Sequence, residues 1–357
     1  MKALFITLIV IFAIISCKDS PNNTIANNTN NSFIISSWTN TGHPYDSTQW
    51  KDKLAGYSDL GISEILLGGR MEYLPHIIKM ADSYDIKVHA WMWTLNQPGD
   101  SIAMLHPEWY SVNRNGNNSL EFRPYVDYYQ WLSPFHPDAR EHIINKAKKI
   151  LNTEGLASLH LDYVRYVDVI LGDALQPKYK LDQDHQMPEY DFGYHPIARA
   201  QFEAQFGIDP ADIKYPDQST EWLQFRLNAV TSLVNEIAVI AKSRNQELSA
   251  AVFPFPTMSR IMVRQAWDDW HLDRAYPMLY HNFYNQNIEW IDFALKQGMS
   301  DVDFPLYPGI YIPGFDSTEA LDQAFRIAKD AGAPGISLFT ADNLSAEQRE
   351  VVRRWAE

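Results

Sequence analysis

From Phe33 onward, short apolar runs alternate with stretches whose apolar residues recur at helical spacing. FIISSW (33–38), EILLGG (64–69), KVHAWMW (87–93) and LASLHLDY (156–163) read as β-strands, and LSAAVFP, RAYPMLY, FPLYPGIYI and PGISLF continue the series. Between them STQWKDKLAGYSDLG, YLPHIIKMADSYD, DAREHIINKAKKILNTEG, TEWLQFRLNAVTSLVNEIAVIAKSRN, MVRQAWDDWH, NIEWIDFALKQG and STEALDQAFRIAKDAG read as helices, and SAEQREVVRRWAE closes the chain. Eight strands alternating with helices over about 325 residues predict an α/β fold, a single (β/α)8 TIM barrel over residues 33–357. A doubly wound sheet would want a GxGxxG turn after its first strand, and SSWTNTGHPY has none.

Two segments interrupt the rhythm, 94–138 after the third strand and 164–195 after the fourth. In a barrel the loops that follow strands lie on the catalytic face, and long loops there tend to carry function.

The fourth strand ends in SLHLDYVRYVD (158–168). Alternation sends Leu159 and Leu161 toward the helices and His160 and Asp162 into the barrel, with Asp162 at its mouth. A carboxylate there is costly to bury unless it is paired. Arg165 is the expected partner, and it would hold Asp162 ionised, as suits a nucleophile or a transition-state stabiliser. A structural Asp–Arg pair bracing the loop explains the same residues equally well.

On the third strand His89, Trp91 and Trp93 alternate with Val88, Ala90 and Met92. If the first set faces the lumen, Trp91 or Trp93 floors a sugar subsite; otherwise the tryptophans fill core. The sixth strand ends in Tyr280, His281 and Asn282, a polar aromatic rim suited to hydroxyl-rich ligands. In LDQDHQMPEYDF the acidic residues Asp182, Asp184, Glu189 and Asp191 crowd together. The spacing fits a calcium loop poorly, and a solvated acidic loop explains Asp182 and Asp184. Glu189 and Asp191 are flanked by Pro188, Tyr190 and Phe192. An apolar setting of that kind raises a carboxyl pKa, as a general acid requires.

Composition narrows the function classes. The formal net charge of −14 disfavours nucleic-acid binding. The single cysteine, Cys17, excludes an intrachain disulfide or a thiolate metal cluster, and no cofactor is expected. Lys2, the 13-residue apolar run ALFITLIVIFAII and IISC (14–17) read together as a signal peptide over 1–16. IISC resembles the lipobox of bacterial lipoproteins, which implies lipid on Cys17. KDS after it resembles the acidic export tag of Bacteroidetes surface lipoproteins. Residues 18–32, KDSPNNTIANNTNNS, are low in complexity and polar, so 17–32 forms a lipidated cysteine and flexible tether spanning roughly 20 Å. The protein is thus expected at the bacterial envelope, lipid-anchored in the outer membrane and facing the periplasm or cell surface.

The segment LSPFHPDAREHIINKAKKILNTEGLASLHLDYVRY (132–166) resembles the glycosyl hydrolase-like family ten barrels. AAVFPFP, QAWDDWHLDRAYPMLYHNFY, YPGIYIPG and GISLF are similar to later segments of that family, and the resemblance spans most of 85–340. It implies a (β/α)8 fold, action on glycosidic bonds, and a catalytic Asp at the end of strand four, here Asp162. The chain departs from the family's commoner HLDDYFYP ending, with Tyr163 for a second Asp and Val167 for Pro. A partner carboxylate must therefore come from elsewhere.

These readings converge on a membrane-anchored glycoside hydrolase acting on a poly- or oligosaccharide. Asp162 is the candidate nucleophile or base, Asp191 or Glu189 the general acid, and Arg165 the group that tunes Asp162. His89, Trp91, Trp93, His160, Tyr280, His281 and Asn282 are the candidate substrate-binding residues. One alternative is a non-catalytic glycan-binding surface lipoprotein on the same barrel. Another is a metal-dependent deacetylase or lyase, which would need His89, His160 and His281 to converge.

Overall fold

The computed structural model describes residues 33–356. Residues 1–32, where a signal peptide, the lipidated Cys17 and a tether are expected, lie outside them. Eight parallel strands are present: β1 (Ile34–Asn40), β2 (Ile62–Gly68), β3 (Lys87–Trp93), β4 (Ser158–Asp162), β5 (Glu247–Val252), β6 (Arg274–Pro277), β7 (Gly309–Tyr311) and β8 (Gly335–Phe339). They pair in the order β6-β5-β4-β3-β2-β1-β8-β7. Parallel bridges at Ala275–Leu306 and Met278–Gly309 join the two ends, so the sheet closes on itself. The expected TIM barrel is the observed fold.

Nine α-helices accompany the strands among the described residues: α1 (Ser47–Asp59), α2 (Leu74–Asp82), α3 (Pro137–Leu151), α4 (Pro196–Phe206), α5 (Thr220–Ser243), α6 (Pro256–Val263), α7 (Glu289–Asp301), α8 (Thr318–Asp330) and α9 (Ala346–Ala356). Local chemistry marks their starts. Asp46, Ser219 and Ser317 accept backbone N–H bonds as caps of α1, α5 and α8. Pro137, Pro196 and Pro256 open α3, α4 and α6, where a missing N–H costs nothing. None of these helices is long and apolar enough to cross a membrane.

Two elements differ from expectation. The helix read at 262–271 begins earlier, at Pro256, and stops at Val263, because Arg264 turns into the left-handed region with φ 52°. Trp267–Asp269 then form only a 3-10 turn. Helix α4 went unread because it is short and its apolar face is narrow. Ala198 and Phe202 are its buried residues, and they pack with Tyr194 and Trp222 in a satellite cluster.

Strand alternation sorts the core into two layers. Leu159, Leu161, Val88, Ala90 and Met92 face outward and pack with the helices. Trp38, Leu66, Trp91, Ala251, Tyr276 and Tyr307 fill the lumen. Lower in the lumen, buried Glu64 lies 3.3 Å from His89 Nε2 and 3.0 Å from Arg274 Nη1. Burial pushes the Glu64 pKa up, but His89 and Arg274 outweigh it and hold the carboxylate below its ordinary range. This buried network occupies the lumen toward the start of β3 and β6, away from the strand ends that carry Trp93 and Asp162.

Candidate active site

A cavity of about 350 Å³ opens at that end, with Asp162 in its lining. More than half of its lining side chains are aromatic, and its charged residues are Asp162, Arg165, Asp168 and Lys178. Trp38, Trp91, Trp93 and Phe339 come from the strands, while Tyr125, Tyr128 and Tyr129 come from the excursion after β3. That excursion has little regular structure and is held by discrete bonds. Asp100 accepts from His142 at 2.9 Å and Lys146 at 2.8 Å on α3, and Gln97 N–H donates to the Gln130 carbonyl at 2.9 Å.

Asp162 is level with Trp93 in the β3–β4 register and is 8% exposed. Its Oδ2 accepts from the Trp91 indole at 2.9 Å, and its Oδ1 accepts from the Tyr163 N–H at 2.6 Å. Tyr163 has φ 48°, a left-handed conformation rare for a bulky residue. The turn brings its amide back onto the carboxylate and lays its ring 4.4 Å from Trp93. Strain of this kind is often kept where it positions a functional group. Burial raises the Asp162 pKa, and the Tyr163 amide, the Trp91 indole and the charge of Arg165 offset this only in part. Relative to a free carboxyl, this setting favours the protonated form of Asp162.

The reason is the true partner of Arg165. Its Nη1 bonds Asp168 Oδ2 at 3.0 Å and the Tyr166 carbonyl at 2.8 Å. The Tyr129 hydroxyl also donates to Asp168 Oδ2, at 3.0 Å. Trp131 and Phe253 each place a ring 5.0 Å from the guanidinium carbon. Arg165 stands three residues from each carboxylate, and the turn at Tyr163 sets it against Asp168 rather than Asp162. Both bonds fall on Oδ2, so Oδ1 of Asp168 is left to the cavity.

The other sequence candidates separate sharply. Trp91, Trp93, Arg165 and Tyr280 line the cavity with Asp162. Asp191 does not. It is buried against Arg226 Nη1 at 2.5 Å and Arg264 Nη2 at 3.5 Å. Burial pushes its pKa up, but the two guanidinium charges, with bonds from Arg226 and Tyr194, overcome this and hold it low. That is the opposite of the apolar setting expected for a general acid. Glu189 is half-buried outside the cavity lining, and its carbonyl accepts from Asn113 at 2.9 Å.

The histidines do not converge. His89 belongs to the Glu64 network below the cavity and bonds Ser158 Oγ at 2.6 Å. His160 Nε2 accepts from the Trp38 indole at 3.1 Å, which leaves Nδ1–H to donate to Ser249 Oγ at 2.9 Å. Burial, then the charges of His89 and Arg274, keep His160 neutral by pushing its pKa well down. Its contribution is to fix Trp38, not to touch a ligand. His281 and Asn282 sit on a 3-10 turn after β6, outside the cavity lining. Among the described residues no group of three or more His, Cys, Asp or Glu side chains is arranged to hold a metal ion.

The sequence reading missed Trp38, Asp168 and the tyrosines of FRPYVDYYQ. Asp168 was visible as the next acid after Asp162. The tyrosines carry no periodic signal and reach the cavity only because their excursion folds back over the mouth.

Trp93 is half-buried, packed on Tyr163 and 5.9 Å from Tyr128. Trp93→Ala is expected to weaken glycan binding about tenfold. It should cost less stability than the roughly 3–5 kcal/mol of a fully buried tryptophan. Isothermal titration and a melting curve check both parts. A large stability loss with unchanged binding would make Trp93 a core residue.

A family model described as glycosyl hydrolase-like 10 matches residues 23–329. No curated protein matches the sequence. Among solved structures, the glycoside hydrolase domain of PgaB (BpsB) from Bordetella bronchiseptica superposes with a TM-score of 0.64 at 14% identity, covering 91% of this chain and 99% of that one. The catalytic domain of β-amylase from Paenibacillus polymyxa gives 0.64 at 10% identity, covering 91% and 98%. A β-galactosidase from the psychrophilic Marinomonas ef1 gives 0.63 at 13% identity, covering 91% of this chain and 59% of its own. At these identities the likeness is one of fold.

Proposed function

Because the chain belongs to the glycosyl hydrolase-like 10 family, we propose that the cavity is the active site of a glycoside hydrolase acting on a poly- or oligosaccharide. The observation that carries this reading is a carboxyl of raised pKa, Asp162, set in an aromatic-walled cavity at the C-terminal end of a barrel strand. Aromatic faces suit the C–H faces of sugar rings, and the protonated carboxyl suits the leaving oxygen.

In this mechanism Asp162 gives its proton to the glycosidic oxygen as the C–O bond breaks. Asp168 faces the same space with Oδ1 and meets the positive charge that develops at the anomeric carbon. Water supplies the hydroxyl that ends on that carbon, and its remaining proton restores the acid. Arg165 and Tyr129 grip Asp168 through Oδ2 and so fix the direction of its free oxygen. The reading is tested by measuring reducing ends released from a panel of microbial and algal polysaccharides. Absence of release from every member, with the protein folded, would favour the non-catalytic glycan-binding alternative.

The same proposal includes anchoring at the bacterial envelope through lipid on Cys17, with the enzyme facing the periplasm or cell surface. Lys2, the apolar run and IISC support it. Mass spectrometry of the native protein should find a lipid-modified Cys17 as the first residue. An unmodified terminus beyond residue 17 would end the proposal.

A further inference from the structure

The loops contribute unevenly to the cavity wall. The loops after β3, β4, β5 and β6 supply side chains to its lining, whereas the loops after β1, β2 and β7 supply none. A chain entering the cavity therefore has a way out across the ends of β1 and β2. Gly68 ends β2 on that path. A Cβ there would lie 2.6 Å from the Trp91 ring and 2.9 Å from Asn40 Oδ1, so the bare backbone lets Trp91 cover the strand end. Neighbouring strands are about 4.8 Å apart, so β2 ends within one sugar ring's width of β3.

Beyond Gly68 the loops after β1 and β2 meet in an aromatic group. His43 Nδ1 and the Tyr73 hydroxyl are 3.2 Å apart, the ring centroids are 6.5 Å apart, and the planes agree within 15°. A contact between rim atoms at that centroid distance sets the two rings edge to edge with nearly parallel planes rather than face on face. Tyr45 packs 5.3 Å from Tyr73, and both tyrosines rest on the main core, while His43 is exposed. The result is a surface of two adjacent, nearly parallel rings, with the tyrosine backed by core and polar atoms at the rims. A pyranose needs the same arrangement, since it offers C–H bonds on its face and hydroxyls around its rim.

We infer that His43 and Tyr73 form a second sugar-stacking subsite outside the cavity, so that the substrate is a glycan chain long enough to run from Asp162 over the ends of β1 and β2. The inference rests on the glycoside hydrolase reading of the cavity. It makes the protein a binder of polymer, with selectivity for chain length set partly by two residues remote from the acid.

The test is affinity electrophoresis of the purified protein through gels containing laminarin, xylan, mannan, dextran or pectin. At least one polysaccharide should retard the wild-type protein, and Asp162→Asn should be retarded alike. His43→Ala and Tyr73→Ala should each weaken that retardation about tenfold, and Tyr73→Phe, which keeps the ring, should weaken it less. His43 is exposed, so its variant keeps the test open if Tyr73→Ala fails to fold. Unchanged retardation of His43→Ala and folded Tyr73→Ala, with Trp93→Ala weakened, would overturn the platform and leave the cavity reading standing. Loss in the platform variants with Trp93→Ala unaffected would keep the platform and remove Trp93 from the substrate path, and reducing-end release, measured separately, decides the cavity reading. Absence of retardation by all five polysaccharides would overturn the platform.

Discussion

Asp162→Asn should lower hydrolysis by about 10²–10⁴-fold, the range that general acid catalysis supplies. The amide keeps the shape of the side chain but has no proton of suitable acidity to give to the leaving oxygen. Binding should change little, because the lost interaction belongs to the transition state. The pH profile of the wild type follows from the same group. Activity needs the protonated carboxyl, so it should fall as pH rises through the raised folded pKa of Asp162. Stability carries a matching sign. A carboxyl whose folded pKa lies above its unfolded value favours the folded state at pH below the unfolded pKa of about 3.9, and that contribution is lost as pH rises through the folded pKa.

The substitution therefore removes a buried charge that opposes folding at higher pH. Against this, an amide has one acceptor oxygen for the two donors of Trp91 and Tyr163, and an unsatisfied donor costs about 1–3 kcal/mol. The terms oppose each other, so the melting temperature should move little at neutral pH. The variant should gain on the wild type as pH rises through the Asp162 pKa. A reducing-end assay and melting curves across pH read all of this. A variant that hydrolyses at near the wild-type rate would remove Asp162 from the mechanism.

Much of the scaffold was legible because strand and helix impose different periods on apolar residues. KVHAWMW reads as a strand with the boundaries β3 has, and the alternation of Leu159 and Leu161 with His160 and Asp162 assigns each to its observed side. The site was legible only where it rides on strands: Trp91, Trp93 and Asp162. Charge partners are a different problem. Arg165 had two carboxylates within three residues, one on either side, and sequence distance does not rank them. The closed turn at Tyr163 decides for Asp168, because a residue at φ 48° redirects the chain after the strand. Tyr128 and Tyr129 reach the cavity through an irregular excursion pinned by Asp100 and Gln130, a long-range arrangement with no local signature. The same blindness misplaced Asp191. Its neighbours in sequence, Tyr190 and Phe192, are apolar, but its neighbours in space are Arg226 from α5 and Arg264 from the end of α6.

Asp191→Asn tests that last point and should cost about 3–5 kcal/mol of stability, the penalty for leaving buried charge unpaired. Arg226 is fully buried and Arg264 is 2% exposed, so neither can reach water to recover its solvation. Burial and the neighbouring Arg226 charge already push the Arg264 pKa below its ordinary value, and Asp191 is the carboxylate that offsets their repulsion. Tyr194 donates to Asp191 Oδ2 at 3.0 Å and would lose a charged acceptor as well. The sign with pH is opposite to that of Asp162. Asp191 has a depressed folded pKa, so its stabilisation is present above the unfolded value of about 3.9 and is lost as pH falls through the folded one. The gap between wild type and variant in urea unfolding should be full at neutral pH and narrow in acid. Because Asp191 contributes nothing to the cavity lining, the variant should keep hydrolysing wherever it remains folded. Normal stability with abolished hydrolysis would restore Asp191 as the acid and take that role from Asp162. A destabilised but active variant ties the loop after β4 to α5 and α6 through a buried ion cluster, which holds in place the loop that presents Arg165 and Asp168 to the cavity.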